Sequence, residues 1–355
     1  MAGSWTFAIA RNDLAETLVV DGQVPDLSDG EALLQVDRVG MTANNVTYAV
    51  LGGAMRYWEF FPPGPRGLEG EWGLVPLWGF ADVVGSTVPG VEAGQRVYGY
   101  LPPAAHLVVR PSRVDDTGFR DASEHRADLP SPYNSYRVTT GDPAYREADE
   151  DLLILYRPLF FTSFMLADQL VDRSFHGAST LVFSSASSKT AYAAAFELRG
   201  QGPRLVGLTS PGNVGFTGSL GCYDDVVSYA DIATLDAVPT VYLDLSGAPA
   251  TRVALREHLG DHLVRDIAVG LTNQVPNMDS ATEFFFAPVQ MRKRTVDWGR
   301  EGLDKRFSDA WSRFADVVRD WVDVQVGQGP DALRAAWLDV LAGRTPPNIG
   351  HVIQL

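Results

Sequence analysis

Along the first hundred or so residues the apolar positions fall in short, β-branched runs, as in "AETLVV" and "EALLQVDRVG". "VVGSTVPGVEAGQRVYGYLPPAAHLVVRP" continues the pattern, with Gly and Pro between the runs. Such runs predict strands joined by turns, so this part reads as all-β. From Ser112 to Glu150 the chain is polar and aperiodic, and it reads as an extended connector. From Leu152 the pattern changes. "LVFSSAS", "PRLVGLTS", "DDVVSY", "TVYLDLSG" and "LVRDIAVGLT" are apolar and strand-sized, with helical patterns such as "KTAYAAAFELRG" and "PATRVALREHLGDH" between several of them. Strands alternating with helices predict a parallel sheet wound with helices. After Phe286 come a basic cluster "MRKR", the helix-like "KRFSDAWSRFADVVRDWVDVQ" and "DALRAAWLDVLAG", and a strand-like "GHVIQL".

Composition narrows the function classes. The chain has 355 residues with a formal charge of −15 and no long Lys/Arg run, which disfavours nucleic acid or an anionic membrane as partner. A single cysteine, Cys222, excludes a disulfide framework and a cysteine-based zinc site within one chain. With no basic-then-apolar N-terminal segment, the expectation is a cytoplasmic protein. The most apolar stretch, "LLILYRPLFFTSFML", is broken by Arg157 and Pro158 and is too short for a membrane span.

The stretch "STLVFSSASSKTAYAAAFELRG", residues 179–200, reads as a buried strand, a tight turn and an alanine-rich helix. That layout cradles a dinucleotide pyrophosphate on the free N–H groups of a helix start. The glycines of the usual turn are missing; Ser184, Ser185, Ala186, Ser187, Ser188, Lys189, Thr190 and Ala191 stand there. Small side chains preserve close approach, hydroxyls can cap the helix or donate to phosphate, and Lys189 adds a charge. The same residues also suit an ordinary serine-capped helix. The second strand, "PRLVGLTSPGN", ends where an NAD-preferring protein carries an acid against the ribose. No acid lies between Glu197 and Asp224, which leaves Thr209, Ser210 and Asn213 as neutral donors and favours NADP over NAD.

In order and spacing these elements resemble the medium-chain dehydrogenase/reductase superfamily, in its zinc-independent, quinone-oxidoreductase-like branch and closest to an uncharacterised subgroup of it. The resemblance rests on "VGMTANNVTYAVLGG", "PLWGFADVVGSTVPGVEAGQRVYGYLPPAAHLVVRP", "RPLFFTSFMLADQL", the turn itself, "SLGCYDDVVSYADI" and "VYLDLSGAP", and covers most of residues 1–275. It implies an α/β two-domain fold. A GroES-like β domain would comprise residues 1–135 and 318–355, and a Rossmann domain with a doubly wound parallel sheet residues 136–317. It also implies NADPH as cofactor, hydride transfer to a carbonyl or activated double bond, and a possible homodimer. The segment that carries a zinc ligand in relatives is Leu77-Trp78-Gly79 here, so no catalytic metal is expected.

The resemblance places "ANNVTYAVLGG" at the nicotinamide pocket, with Tyr48 as candidate proton donor and Asn45 as candidate holder of the cofactor amide or substrate carbonyl. Tyr48 as a plain core aromatic is equally open. "GAMRYWEFFPP" has four aromatics in five residues, and Tyr57, Trp58 and Phe60 with the connector's Tyr133 are candidates for an apolar substrate wall, or for core packing. Thr162 matches a position near the nicotinamide ribose, and Tyr229 one near the adenosine phosphate. Leu271, Thr272 and Asn273 follow "DIAVG" at the carboxyl edge of the sheet, where ligands bind in this fold. Arg292, Lys293 and Arg294 could close over a cofactor phosphate or an acidic substrate tail, or form a solvated basic turn. His258 and His262 have helical spacing, but Gly260 lies between them and no third metal ligand is apparent.

The leading expectation is therefore an NADPH-dependent reductase of an enone, enoyl thioester, quinone or ketone. The alternative is a non-catalytic dinucleotide-binding protein that senses redox state or assists assembly. A serine hydrolase is disfavoured, since Ser-x-x-Lys would need serine at Ala186 and no G-x-S-x-G occurs.

Overall fold

A computed structural model describes residues 3–63, 68, 70–269 and 282–355. The chain divides into two units, one of residues 1–155 and 322–355, the other of residues 156–321. Residues 136–155 thus lie with the β unit. The strand Ser135–Val138 pairs antiparallel with Arg96–Leu101 and Gly118–Asp121. Arg96 then ties Glu150 to Asp37 and Asp82 through ion pairs of 2.6–3.0 Å.

In the first unit, the largely buried strands Ala32–Met41 and Leu77–Ser86 form an antiparallel pair at the centre of a large sheet. The C-terminal segment completes that sheet. Ile349–Gln354 pairs antiparallel with Ala32–Met41, and Asp323–Gln328 lies parallel outside it. The helix Gly329–Leu341 makes the crossover that a parallel pair requires. It buries Leu333, Ala336, Trp337 and Val340, and the Trp337 indole donates to the Leu14 carbonyl at 2.7 Å. The expectation of a β domain closed by the C-terminal segment holds.

The second unit contains a six-stranded, all-parallel sheet. Across it run Asp225–Ser228, Arg204–Thr209, Thr180–Phe183, Thr240–Asp244, Leu263–Val269 and Thr282–Phe285. In chain order that is 3-2-1-4-5-6, the arrangement that places ligands at the carboxyl ends of the strands where the order reverses. The helix Lys189–Leu198 has Ala191, Ala193, Ala194 and Ala195 fully buried, so it packs close against its neighbours. Gly207 serves the same approach, since a Cβ there would stand 2.9 Å from that of Ala186. Among the described residues no helix is long and apolar enough to cross a membrane.

Candidate functional site

The turn after the first strand of the parallel sheet is held by its own side chains. Ser184, fully buried, donates its hydroxyl to Asp244 at 2.9 Å and accepts from the N–H groups of Leu245 and Ser246. Ser185 has φ of 51°, the left-handed region that glycine usually fills. Its N–H donates to the Tyr229 hydroxyl at 2.7 Å, and the Ala186 N–H goes to the Leu208 carbonyl at 3.0 Å. Ser188 is the helix cap, with extended backbone and its hydroxyl 3.4 Å from the Ala191 N–H. The N–H groups of Ser187 and Thr190 meet no acceptor among the described residues.

Ser187 turns toward the second strand. Thr209 donates to its hydroxyl at 3.3 Å and Asn213 at 3.2 Å. Five expected cofactor residues thus meet at one place: Ser185, Ser187, Thr209, Asn213 and Tyr229. Ser210 caps the short turn Pro211–Asn213 beside them. Lys189 goes elsewhere. Its ammonium lies 5.6 Å from the centre of the Tyr156 ring, and the Tyr156 and Tyr192 hydroxyls hydrogen-bond at 2.7 Å. Burial pushes the Lys189 amine down to about 8. Thr162 bonds back to the Pro158 carbonyl of its own helix at 3.2 Å, while Ser163 reaches the Thr190 carbonyl at 2.8 Å. Leu271, Thr272 and Asn273 lie outside the described residues.

The basic cluster does not stand free. Lys293 pairs with Asp172 at 2.6 Å, and Arg294 with Asp168, Asp172 and Asp297 at 2.7–3.0 Å. These charges bind one helix to another, which leaves Lys293 and Arg294 little to offer a phosphate.

In the first unit, Tyr48, Tyr57, Phe60 and Tyr133 form one aromatic group. Ring centres of Tyr48 and Tyr57 are 4.6 Å apart, those of Tyr57 and Tyr133 6.1 Å, and those of Phe60 and Tyr133 5.3 Å. Trp78 and Tyr100 complete it, each within 6 Å of Tyr133. Tyr57, Trp78 and Tyr133 keep partial exposure, and Tyr48, Phe60 and Tyr100 are buried behind them.

Three residues occupy other roles than those expected. Trp58 leaves this wall and is buried between Gly52 and Gly73, where a Cβ would come within 2.1 and 2.5 Å of its ring. Its edge lines a cavity of about 410 Å³ with the charged Arg11, Arg56 and Glu59, a surround unlike an apolar substrate wall. Asn45 is 3% exposed and holds the start of the helix Ala43–Val50. Its amide oxygen accepts from the Thr42 N–H at 2.8 Å and its amide nitrogen donates to the Pro76 carbonyl at 3.0 Å. Tyr48 is buried, with its hydroxyl accepting from Asn44 at 2.7 Å and Trp78 at 3.3 Å. Burial, with Tyr57 adding to it, pushes this phenol well above the usual range, and those hydrogen bonds pull it back only in part.

Sequence reasoning missed Asp244 and Tyr100, and named Trp78 only as the residue standing in the zinc segment. Asp244 was signalled by a lone acid ending the apolar run "VYLD". Tyr100 had no comparable signal, because an aromatic in an alternating strand looks like core.

Residues 39–346 match the model of a family described as "Protein of unknown function (DUF2855)". The chain belongs to that family. No curated protein matches the sequence. Among solved structures, the chain is similar to CurA of Vibrio vulnificus in complex with NADPH, at 12% identity and TM-score 0.62, covering 99% of this chain and 98% of that one. It is similar to a putative NADPH:quinone reductase of Mesorhizobium loti, at 15% identity and TM-score 0.63, over 100% and 99%. A third likeness is to the yhdH oxidoreductase of Salmonella enterica in complex with NADP, at 12% identity and TM-score 0.54, over 99% of both chains. At these identities the likeness establishes the fold: a β domain joined to a Rossmann domain, as in medium-chain dehydrogenases and reductases.

Proposed function

We propose that this member of the family is an NADPH-dependent oxidoreductase that reduces an apolar enone, quinone, enoyl thioester or ketone without a catalytic metal. The observation that carries the reading is the meeting of Ser187, Thr209 and Asn213 at the carboxyl ends of the first two strands. No acid lies between Glu197 and Asp224 in the sequence to repel a 2′-phosphate at that strand end. The N–H groups of Ser187 and Thr190 at the helix start, which meet no acceptor among the described residues, suit the diphosphate. Small side chains at 184–188 and Gly207 keep the backbone approachable. The residues present therefore fit the cofactor, which when bound supplies hydride. The solved structures with NADPH or NADP on the same fold support the same reading.

The chain's own residues then orient and shield. Ser184 and Asp244 fix the turn, and Tyr57, Trp78 and Tyr133 offer an apolar face of the kind that excludes water from a reacting carbonyl. The test is parallel calorimetric titration with NADPH and NADH, followed by a spectrophotometric screen of enones, quinones and acyl thioesters. Tight NADPH and weak NADH binding with oxidation of NADPH is the expected result. Absence of binding removes the reading. Binding without turnover across the screen favours the non-catalytic alternative, for which the self-satisfied N–H groups of Ser185 and Ala186 speak.

A further inference from the structure

The side chains of Arg126 and Asp121 are each 1% exposed, with the Arg126 Nε 3.3 Å from the carboxylate. Burying such a pair costs desolvation that its attraction only partly offsets, so the pair is weak evidence for stability. The Arg126 Nη2, moreover, meets no acceptor among the described residues. Its other contacts all run to one place. Nε donates to the Phe60 carbonyl at 3.3 Å, and Nη1 to the Tyr136 hydroxyl at 3.3 Å. That hydroxyl donates in turn to the Tyr100 carbonyl at 2.7 Å. The guanidinium also lies 5.8 Å and 4.6 Å from the ring centres of Phe60 and Phe61. The backbone adds a further tie, since the Arg126 carbonyl accepts from the Asn134 amide at 3.1 Å, and Asn134 follows Tyr133.

These ties converge beneath the aromatic group of the first unit. Phe60 and Tyr100 stand edge to face with ring centres 5.2 Å apart, and Tyr133 packs on them at 5.3 and 4.8 Å. Tyr57 and Trp78 flank Tyr133 at 6.1 and 5.9 Å. We propose that Arg126 is a positioning residue that sets the spacing of Tyr57, Trp78 and Tyr133, and with it their binding of a flat ligand of the quinone class. The inference rests on the reading of that face as the substrate wall. Arg126 is buried behind the face and acts only through the residues it holds. From one point it fixes the backbone of Phe60 and, through Tyr136, that of Tyr100, while Asn134 anchors the segment of Tyr133 to it. A guanidinium suits this task, because its donors form a rigid planar fork where an ammonium is a point charge. Rings held at set distances stack on a flat ligand, and a face loosened by about 1 Å loses that fit.

The test titrates menadione, a flat apolar quinone, calorimetrically into wild type, Arg126→Lys, Arg126→Met and Tyr136→Phe. NADPH titration and urea unfolding accompany each protein. Arg126→Met breaks the pair with Asp121 and should unfold at lower urea, while Arg126→Lys keeps a charge there and should recover most of that loss. Menadione affinity should nonetheless fall about tenfold in both, since neither side chain holds Phe60 and Tyr136 together. Tyr136→Phe keeps the ring and removes one link, and its affinity should fall about threefold. NADPH affinity should stay within about twofold of wild type throughout, which marks the variants as folded. Recovery of menadione affinity together with stability in Arg126→Lys would overturn the proposal, because a purely structural role moves the two together. Unchanged affinity in Arg126→Lys and Tyr136→Phe overturns it as well, even where Arg126→Met does not fold. Wild type that binds no menadione removes the reading of the face and the proposal with it. Failure to bind NADPH alone removes the nucleotide reading, and the menadione comparison still decides the role of Arg126.

Discussion

The Ser184 hydroxyl donates to the Asp244 carboxylate at 2.9 Å, joining the ends of the first and fourth strands of the parallel sheet. Asp244 is fully buried and also accepts from the Ser246 hydroxyl, the N–H groups of Ser246 and Gly247, and Arg252 at 2.5 Å. Removing it takes an acceptor from five donors, of which the Ser246 N–H and Arg252 keep a second partner in Ser184 and Asp266. Asp244→Ala should cost about 3–5 kcal/mol, the scale for breaking a buried ion pair, and Ser184→Ala about 1–3 kcal/mol. Urea unfolding measures both. A loss under 1 kcal/mol for Asp244→Ala would show that the carboxylate does not organise the turn.

Trp58 and Tyr57 are adjacent in sequence and separate in role. Trp58 fills the core between Gly52 and Gly73, so Trp58→Ala should lower stability by about 3–5 kcal/mol. Gly73→Ala should also destabilise, because its Cβ would stand 2.5 Å from the indole and force the ring to shift. Tyr57→Ala, at a partly exposed ring, should cost less than half as much as Trp58→Ala while weakening binding of apolar quinones. Equal losses for the two aromatics would contradict this division.

The fold was legible because it rests on periodicity and order. β-branched runs, then strand–helix alternation, then a strand-like C-terminus are each visible without side-chain detail. The site was legible where chemistry lay in local order, as with Ser187, Thr209 and Asn213 at the ends of successive strands. It was obscured where direction mattered. Nothing in "GAMRYWEFFPP" says which of four aromatics turns inward, because that depends on Gly73, which lies beyond the segment. Nothing in "MRKR" shows that Asp168 and Asp172, over a hundred residues earlier, meet its charges. Asn45 and Tyr48 were recognisable as polar groups on one helix, but their partners Pro76 and Trp78 lie at the start of a distant strand, just before and just inside it.

Tyr48→Phe separates the two roles open to this residue. The hydroxyl is acceptor for Asn44 and Trp78, so its removal leaves two donors unmatched and should cost about 1–3 kcal/mol. If the structural role is the main one, NADPH oxidation by the variant stays within about fivefold of wild type, under 1.4 kcal/mol in the barrier. The phenol's raised ionisation gives a second measurement. Difference absorbance between wild type and variant should show no phenolate from Tyr48 at pH 10, the midpoint for an unburied tyrosine. A thousandfold rate loss with unchanged stability would restore Tyr48 as the acid.

Nucleotide preference should turn on the second strand's end. Thr209→Asp places a carboxylate beside Ser187 and Asn213, where the proposed 2′-phosphate would sit. NADPH affinity should fall by about 10–100-fold, some 1.4–2.7 kcal/mol, through like-charge repulsion. NADH affinity should hold or improve, since an acid at this point suits a ribose hydroxyl. Parallel titration of both nucleotides reads the ratio. Equal losses for NADPH and NADH would mean that the substitution disturbed the turn and not the phosphate site.

Lys189 gives a stability signature independent of any ligand. Burial lowers its amine to about 8 from the 10.5 of an unburied lysine. Between those values the unfolded chain binds more protons than the folded one, so the sign is fixed: folding stability from this residue rises with pH across that window. Below pH 8 the ammonium carries its cost of desolvation, and above about pH 10.5 that cost is gone. Lys189→Met keeps an apolar stem and removes the charge. The variant should therefore exceed wild type by about 1–3 kcal/mol at pH 7, a range kept low because part of the lysine reaches water. The gap should narrow at pH 9 and close near pH 10.5. Other titrating groups are common to both proteins and cancel in the difference. Urea unfolding of the pair at those three pH values supplies the measurement, and a gap independent of pH would show that this lysine is solvated in the folded chain.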